Sequence, residues 1–411
     1  MNCDTAAAIS LLSAGAVRTR ARYILDLGLE DKLPNFRVDL DRLDDTADLV
    51  VTTTLNKYPT LDVPFHSRWR HFVVDGANRY DSLAQAAGST EPPARARSAF
   101  DLAIVSVLLD AGAGPQWRYY DAATGKSFGR SEGLALASLD MFARGAFSSD
   151  MKDPLRADAA VLAKLDDEEL RRGFQVTNAN PLVGLEGRAE LLRAVGRLSA
   201  TRPDIFARND RPRPGGLFDH LAAKPDPGSI AAPLILSELL QEFGPIWPSR
   251  LKLGGVPLGD CWRHSVIVTS DSTTNLVPLH KLSQWLAYSL IEPLQQAGLT
   301  VTDINGLTGL AEYRNGGLFV DTGVLALRDA QQAAREHDVA SELVVEWRAL
   351  TVALLDLLAG AVRDRLKLDA AALPLAKILE GGSWAAGRAI AFARRADGAP
   401  PIKVISDGTV F

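Results

Sequence analysis

Apolar residues recur at a three-to-four-residue spacing along most of the chain, the period of helices with one buried face. Residues 5–30 set Ala, Leu and Ile against Arg in this period, and 39–57 repeat it with acidic and hydroxyl residues on the outer face. The run from Ala94 to Gly112 predicts a mostly buried helix stopped by glycine. Ser131 reads as the N-cap of the next buried helix. Asn180 and Pro181 read as the cap and first turn of a helix carrying Glu186 and Arg188. Segments 153–173 and 229–243 predict further helices, the first exposed. V-P-L-H-K-L-S-Q-W-L-A-Y-S-L-I-E-P-L at 277–294 predicts a long helix on which His280, Gln284 and Tyr288 share a face. S-E-L-V-V-E-W-R-A-L-T-V-A-L-L-D-L-L-A at 341–359 is the longest apolar run, with Glu342 and Glu346 on one face. These like charges call for a cationic or hydroxyl partner. Strand-like alternation is confined to short pieces. R-W-R-H-F-V-V at 68–74 suits an extended segment with Arg68 and Arg70 on one side and Trp69 and His71 on the other, and Asp407–Gly408 suits a small hairpin. The expected fold is mainly α, a single large helical domain over 1–411, and any division into two lobes falls in the Pro- and Gly-rich stretch 200–228.

Polar residues break this pattern in a few places. T-D-I-N-G-L-T-G-L-A-E-Y-R-N-G-G-L-F-V-D-T-G-V-L at 302–325 sets Asp303, Glu312, Arg314 and Asp321 among apolar residues, with glycines throughout. Carboxylates enter apolar surroundings when they are paired, hydrogen-bonded or functional, and glycine lets backbone approach a ligand. The stretch reads as the lip of a polar pocket. Three other clusters carry complementary groups: His66/Arg68/Arg70/His71, Asp260/Arg263/His264 and Lys377/Glu380/Trp384/Arg388. Brought together, they suit acid–base cleavage of a phosphorylated or polyhydroxylated small molecule.

Composition narrows the choice. The 411 residues are 47% hydrophobic and 23% charged with a net charge of −5, which excludes a nucleic-acid-coating surface and fits a globular protein. Two cysteines without a C-x-x-C partner exclude a disulfide framework and point to the reducing cytoplasm. The N-terminal apolar run, with Asp4 where a basic region would stand, reads as a helix rather than a signal peptide. No apolar run is long and uncharged enough to span a membrane. Metal-site, phosphate-loop and nucleophile-elbow spacings are lacking, so no cofactor and no metal are expected. His66, His71, His264 and His280 with an aspartate are the alternative that a metal would require.

V-P-F-H-S-R-W-R-H-F at 63–72, N-P-L-V-G-L-E-G-R at 180–188, H-K-L-S-Q-W-L at 280–286, E-Y-R-N-G-G-L-F-V-D-T-G-V-L at 312–325, E-L-V-V-E-W-R-A-L-T-V at 342–352 and the C-terminal I-S-D-G-T-V-F resemble a bacterial and fungal uracil-catabolism family. That family is associated with a route in which the uracil ring is opened at the nucleoside or nucleotide level, ribosylurea is an intermediate and urea is released. A fainter likeness covers L-T-x-x-A-E-Y-R, then G-V-L, then E-L-V-V-E-W-R-A. It is similar to the queuosine-salvage N-ribosylhydrolases, helical proteins similar to helix-hairpin-helix DNA glycosylases, with Glu312 where they carry aspartate.

Together the likenesses imply hydrolysis of the N-glycosidic bond of ribosylurea or its 5′-phosphate, through an oxocarbenium-like state that a carboxylate must stabilise. Glu312 or Asp303, then Asp321, are the expected catalytic carboxylates. His280, Gln284 and Tyr313 are the expected contacts to the departing urea, with His66 as a further substrate contact. Glu346 or Glu342 would meet ribose hydroxyls. Arg68, Arg70, Arg314 and Lys377 would meet a phosphate. A metal-dependent amide or ureido hydrolase and a non-catalytic pathway partner are the two alternatives. The expected partner is a small molecule, with no nucleic acid and no membrane, and oligomeric state is left open.

Overall fold

The most apolar run forms the longest helix, Glu342–Leu366, of 25 residues. Ser341 caps it through its hydroxyl, which accepts the Val344 N–H at 3.4 Å, and Lys367 ends it in the left-handed region. Its residues from Leu343 to Leu355 are buried almost without a break, as expected for a helix surrounded by protein. The helices Ala14–Leu29, Leu43–Lys57 and Tyr313–Asp321 pack on it. A second assembly joins Pro92–Leu108 to Lys281–Gln296 and Arg130–Ala143.

The computed structural model describes residues 3–88, 91–110, 112–207, 210–224, 228–247 and 251–405, and over these the protein is mainly helical. The described strands form two-stranded pairs. Five pairs are antiparallel, whereas 300–302 with 229–231 and 336–338 with 403–405 run parallel. The main core runs continuously from Leu12 to Ile402. No described helix is long and apolar enough to cross a membrane.

Helical glycines set the closeness of the packing around Tyr313–Asp321. A Cβ at Gly316 would stand 2.8 Å from Trp347 and from the Thr351 hydroxyl, and one at Gly387 would collide with the Arg314 carbonyl. The glycines of this segment therefore seat one helix against two others rather than open a loop.

Several local expectations change. Residues Arg68–Phe72 form a 3₁₀ turn instead of an extended piece, because the Arg68 N–H and the Trp69 indole are drawn to Ser289 on a neighbouring helix. Ser131 is not a cap: Gly129 precedes that helix, and the Ser131 hydroxyl donates to Asp110. Asn180 holds Arg118 through two backbone hydrogen bonds, and the helix carrying Arg188 begins at Leu185. Segment 153–173 divides into Ala159–Leu162 and Asp167–Gly173. The hairpin at Asp407–Gly408 lies outside the described residues.

Candidate functional site

A cavity of about 600 Å³ opens where the two helical assemblies meet the chain's C-terminal helices, and charged groups of both signs line it. Such a volume suits a small polar molecule. Glu312 supplies its central carboxylate. This residue is the N-cap of Tyr313–Asp321, accepting the Arg314 N–H at 2.8 Å and the Asn315 N–H at 2.5 Å. Glutamate is not among the favoured capping residues, yet here its carboxylate does the capping. It is 8% exposed, and burial raises its pKa above the ordinary value in spite of the two N–H donors and the nearby Lys281 charge.

Lys281 faces Glu312 from the first position of Lys281–Gln296. His280 precedes it in the left-handed region, and the Lys281 N–H donates to Asp260 at 2.9 Å. Burial lowers the Lys281 pKa while the charges of Glu312 and Asp110 work the other way, and its ammonium meets no hydrogen-bond partner among the described residues. Trp285, one turn on, also lines the cavity, and its buried indole N–H is likewise without a partner there.

His66 and Glu380 form a dyad on another wall. The His66 Nδ1 lies 3.0 Å from Glu380, whose other oxygen takes Lys57 at 2.8 Å and the Tyr58 hydroxyl at 3.2 Å. Burial works to raise the Glu380 pKa, but the His66 and Lys57 contacts hold it at about 2. Glu380 sits in a π-helical turn, Leu379–Ser383, a departure from α geometry that is common at functional positions. His71 lines the same cavity, and burial beside Arg68 pushes its pKa down to about 4, leaving it neutral near pH 7.

Of the residues singled out from the sequence, Glu312, Tyr313, Arg314, His66, Arg70, His71, Glu380, Trp384 and Arg388 line this cavity. The others lie elsewhere, each for a visible reason. Asp303 is exposed, holding a left-handed turn ahead of a short 3₁₀ segment. Asp321 is gripped by both terminal nitrogens of Arg395 at 2.8 and 2.5 Å. Glu346 is fully buried, accepting Asn35 and Phe36 N–H groups at 3.2 and 2.8 Å and facing His264 at 3.1 Å. Glu342 takes the Ser265 N–H at 2.8 Å. Arg68 is buried behind the wall, where it holds Asp110 at 2.9 Å, and only that carboxylate reaches the lining. Lys377 does not line the cavity.

His280, Gln284 and Tyr288 do share a face, but it packs on the segment around Thr308 and on Leu11. The neighbouring stripe, about 100° round the helix, carries the cavity residues: Lys281 and Trp285 line it, and Ser289 and Glu292 anchor Arg68 and Ser67. Lys281, Asp110, Arg130 and Trp285 were not singled out. An i, i+4 pairing of a lysine with a tryptophan at a helix start was the available signal. The four histidines weighed for a metal do not converge. His220, Glu238 and Glu242 are the group that does among the described residues, and none lines the cavity.

A family model described as "Protein of unknown function (DUF1688)" matches residues 10–411. Over 425 aligned residues the chain is 42% identical to the protein named urg3 of Schizosaccharomyces pombe, covering 100% of both. It is 39% identical to Uracil catabolism protein 4 of Lachancea kluyveri, over 97% of this chain and 98% of that one. The family expected from the motifs is thus the one found.

Proposed function

Because this chain belongs to the DUF1688 family and is similar along nearly its whole length to a protein named for uracil catabolism, we propose that it acts in uracil catabolism as an N-glycosidase, hydrolysing ribosylurea or its 5′-phosphate to urea and the sugar. The observation that carries this reading is the pairing in one cavity of a buried, backbone-pinned carboxylate, Glu312, with the unpartnered ammonium of Lys281.

In this reaction the bond from C1′ to the urea nitrogen breaks, its electron pair staying with nitrogen, and water supplies hydroxide to C1′ and a proton to the system. Positive charge gathers on C1′ and the ring oxygen as the bond lengthens. The ionised Glu312 is suited to stabilise it or to add to C1′, since its two N–H bonds fix its position before the substrate arrives. Urea is a poor leaving group and needs a proton. His66, oriented through Nδ1 by Glu380, would supply it from Nε2 as the imidazolium and regain a proton from the attacking water, and Tyr313 is the second donor at hand. Lys281 is placed to hold a ribose hydroxyl or the urea carbonyl. The test is urea and free-sugar release by the purified protein from ribosylurea and its 5′-phosphate. Equal stoichiometry of the two products is expected. Absence of urea from both compounds, with the protein folded, overturns the reading.

A further inference from the structure

Arg130, Arg314 and Arg388 line the same cavity. Ordinary surface arginines find carboxylates, but of the carboxylates in this lining only Glu132 pairs with one of the three. The Arg130 guanidinium makes no hydrogen bond or ion pair with any other described residue. Arg314, 3% exposed, donates to the Gly398 carbonyl at 2.8 Å and lies 4.9 Å from the Tyr313 ring centre. Arg388 has one acidic contact, Glu132 at 3.3 Å, and stacks over Trp384. Asp397, also in the lining, takes the Ala399 N–H at 3.0 Å.

Burial depresses the Arg314 pKa, and the positive charges of Arg130 and Arg388 add to this against the opposing Tyr313 and Glu312, so Arg314 is repelled by each of the other two guanidiniums. Two local features add to this. Arg130 has φ +55°, a region that side-chain-bearing residues avoid and that is kept where function requires it. It opens the helix Arg130–Ala143, whose cap Gly129 offers no side chain, and its first three residues line the cavity. A helix start without a side-chain cap favours an anion.

We propose that Arg130, Arg314 and Arg388 form a subsite for a dianionic phosphate monoester, which makes the substrate of this cavity the 5′-phosphate of ribosylurea rather than the free nucleoside. The sugar and its urea group rest on the N-glycosidase reading above; the phosphate rests on the arginines. A dianion relieves the mutual repulsion and gives bidentate geometry to groups that lack it.

The experiment pairs titration calorimetry of ribose 5-phosphate, ribose and inorganic phosphate with urea release from both forms of ribosylurea, on the wild type, Arg130→Gln and Arg388→Gln. Ribose 5-phosphate is expected to bind at least about 30-fold tighter than ribose, and each variant to shrink that ratio about tenfold or more. The kcat/KM preference for the phosphorylated compound should shrink in parallel. Equal binding of ribose and ribose 5-phosphate overturns the proposal, as does a ratio that neither variant changes, or binding of inorganic phosphate alone. Arginine-dependent ribose 5-phosphate binding without urea from either compound sinks the N-glycosidase reading and leaves the subsite standing. Equal urea release from both compounds, indifferent to Arg130 and Arg388, does the reverse.

Discussion

Arg348 and Glu312 stand for two kinds of buried charge in this protein. Around Arg348 the groups are matched. Its two terminal nitrogens meet Asp260 at 2.9 and 2.8 Å, and Asp260 also takes the Trp262 indole at 2.6 Å and the Lys281 N–H. Two residues earlier on the same helix Glu346 is saturated by Asn35, Phe36 and His264. Across the cavity the accounting differs: the Lys281 ammonium and the Arg130 guanidinium meet no hydrogen-bond partner among the described residues, and Glu312 meets only backbone. A buried charge with every lone pair and proton engaged frames the fold, and one left facing a cavity is available to a ligand. The frame also aims the site. Arg348 Nε donates to Ala311, the residue before Glu312, at 3.2 Å, while Asp260 fixes the start of the helix that presents Lys281.

The widest separation between the two kinds should come from Glu312→Gln. Turnover is expected to fall about 10³-fold or more while circular dichroism and chromatographic behaviour stay those of the wild type. Retained turnover would move the chemistry elsewhere. Glu346→Gln should give the opposite profile. It turns an amide NH₂ toward donors, costing about 3 kcal/mol of stability in denaturant titration while each folded molecule keeps its activity. A loss of kcat at unchanged stability would place Glu346 at the substrate after all.

The pH profile sharpens the same contrast. Glu312 must be ionised to act, and burial raises its pKa above the ordinary 4.5. Activity should therefore rise with pH along a limb centred above 4.5, and kcat/KM should fall about tenfold per pH unit below it. A limb at or below 4.5 would assign the titration to another group. Smallest of all is Asp303→Asn. The side chain is exposed and outside the cavity, so stability should move by about 0.5 kcal/mol or less and kcat/KM should hold. A large drop in kcat/KM would bring Asp303 back to the chemistry.

The helical character of the chain was legible in its apolar spacing, because a helix face is a local property repeated every three to four residues. The run at 341–359 became the central helix for that reason. The candidate stretch at 312–314 was legible too, since carboxylate and guanidinium groups among apolar residues need a partner or a purpose wherever they fold. The neighbours of such a group are another matter. Which face of Lys281–Gln296 meets the cavity depends on what packs against it, and Thr308 took the His280–Gln284–Tyr288 face while the turn at Ser67 and Arg68 took the other. Whether a buried charge is matched depends on residues hundreds of positions away, as Glu346 with Asn35 and Arg348 with Asp260 show. Local apolar spacing set most of the helices, and residue type set the charges that had to be accommodated. Which of those charges neutralise one another and which are left facing a cavity was fixed by the packing, because pairing is a matter of distance in space and not of separation along the chain.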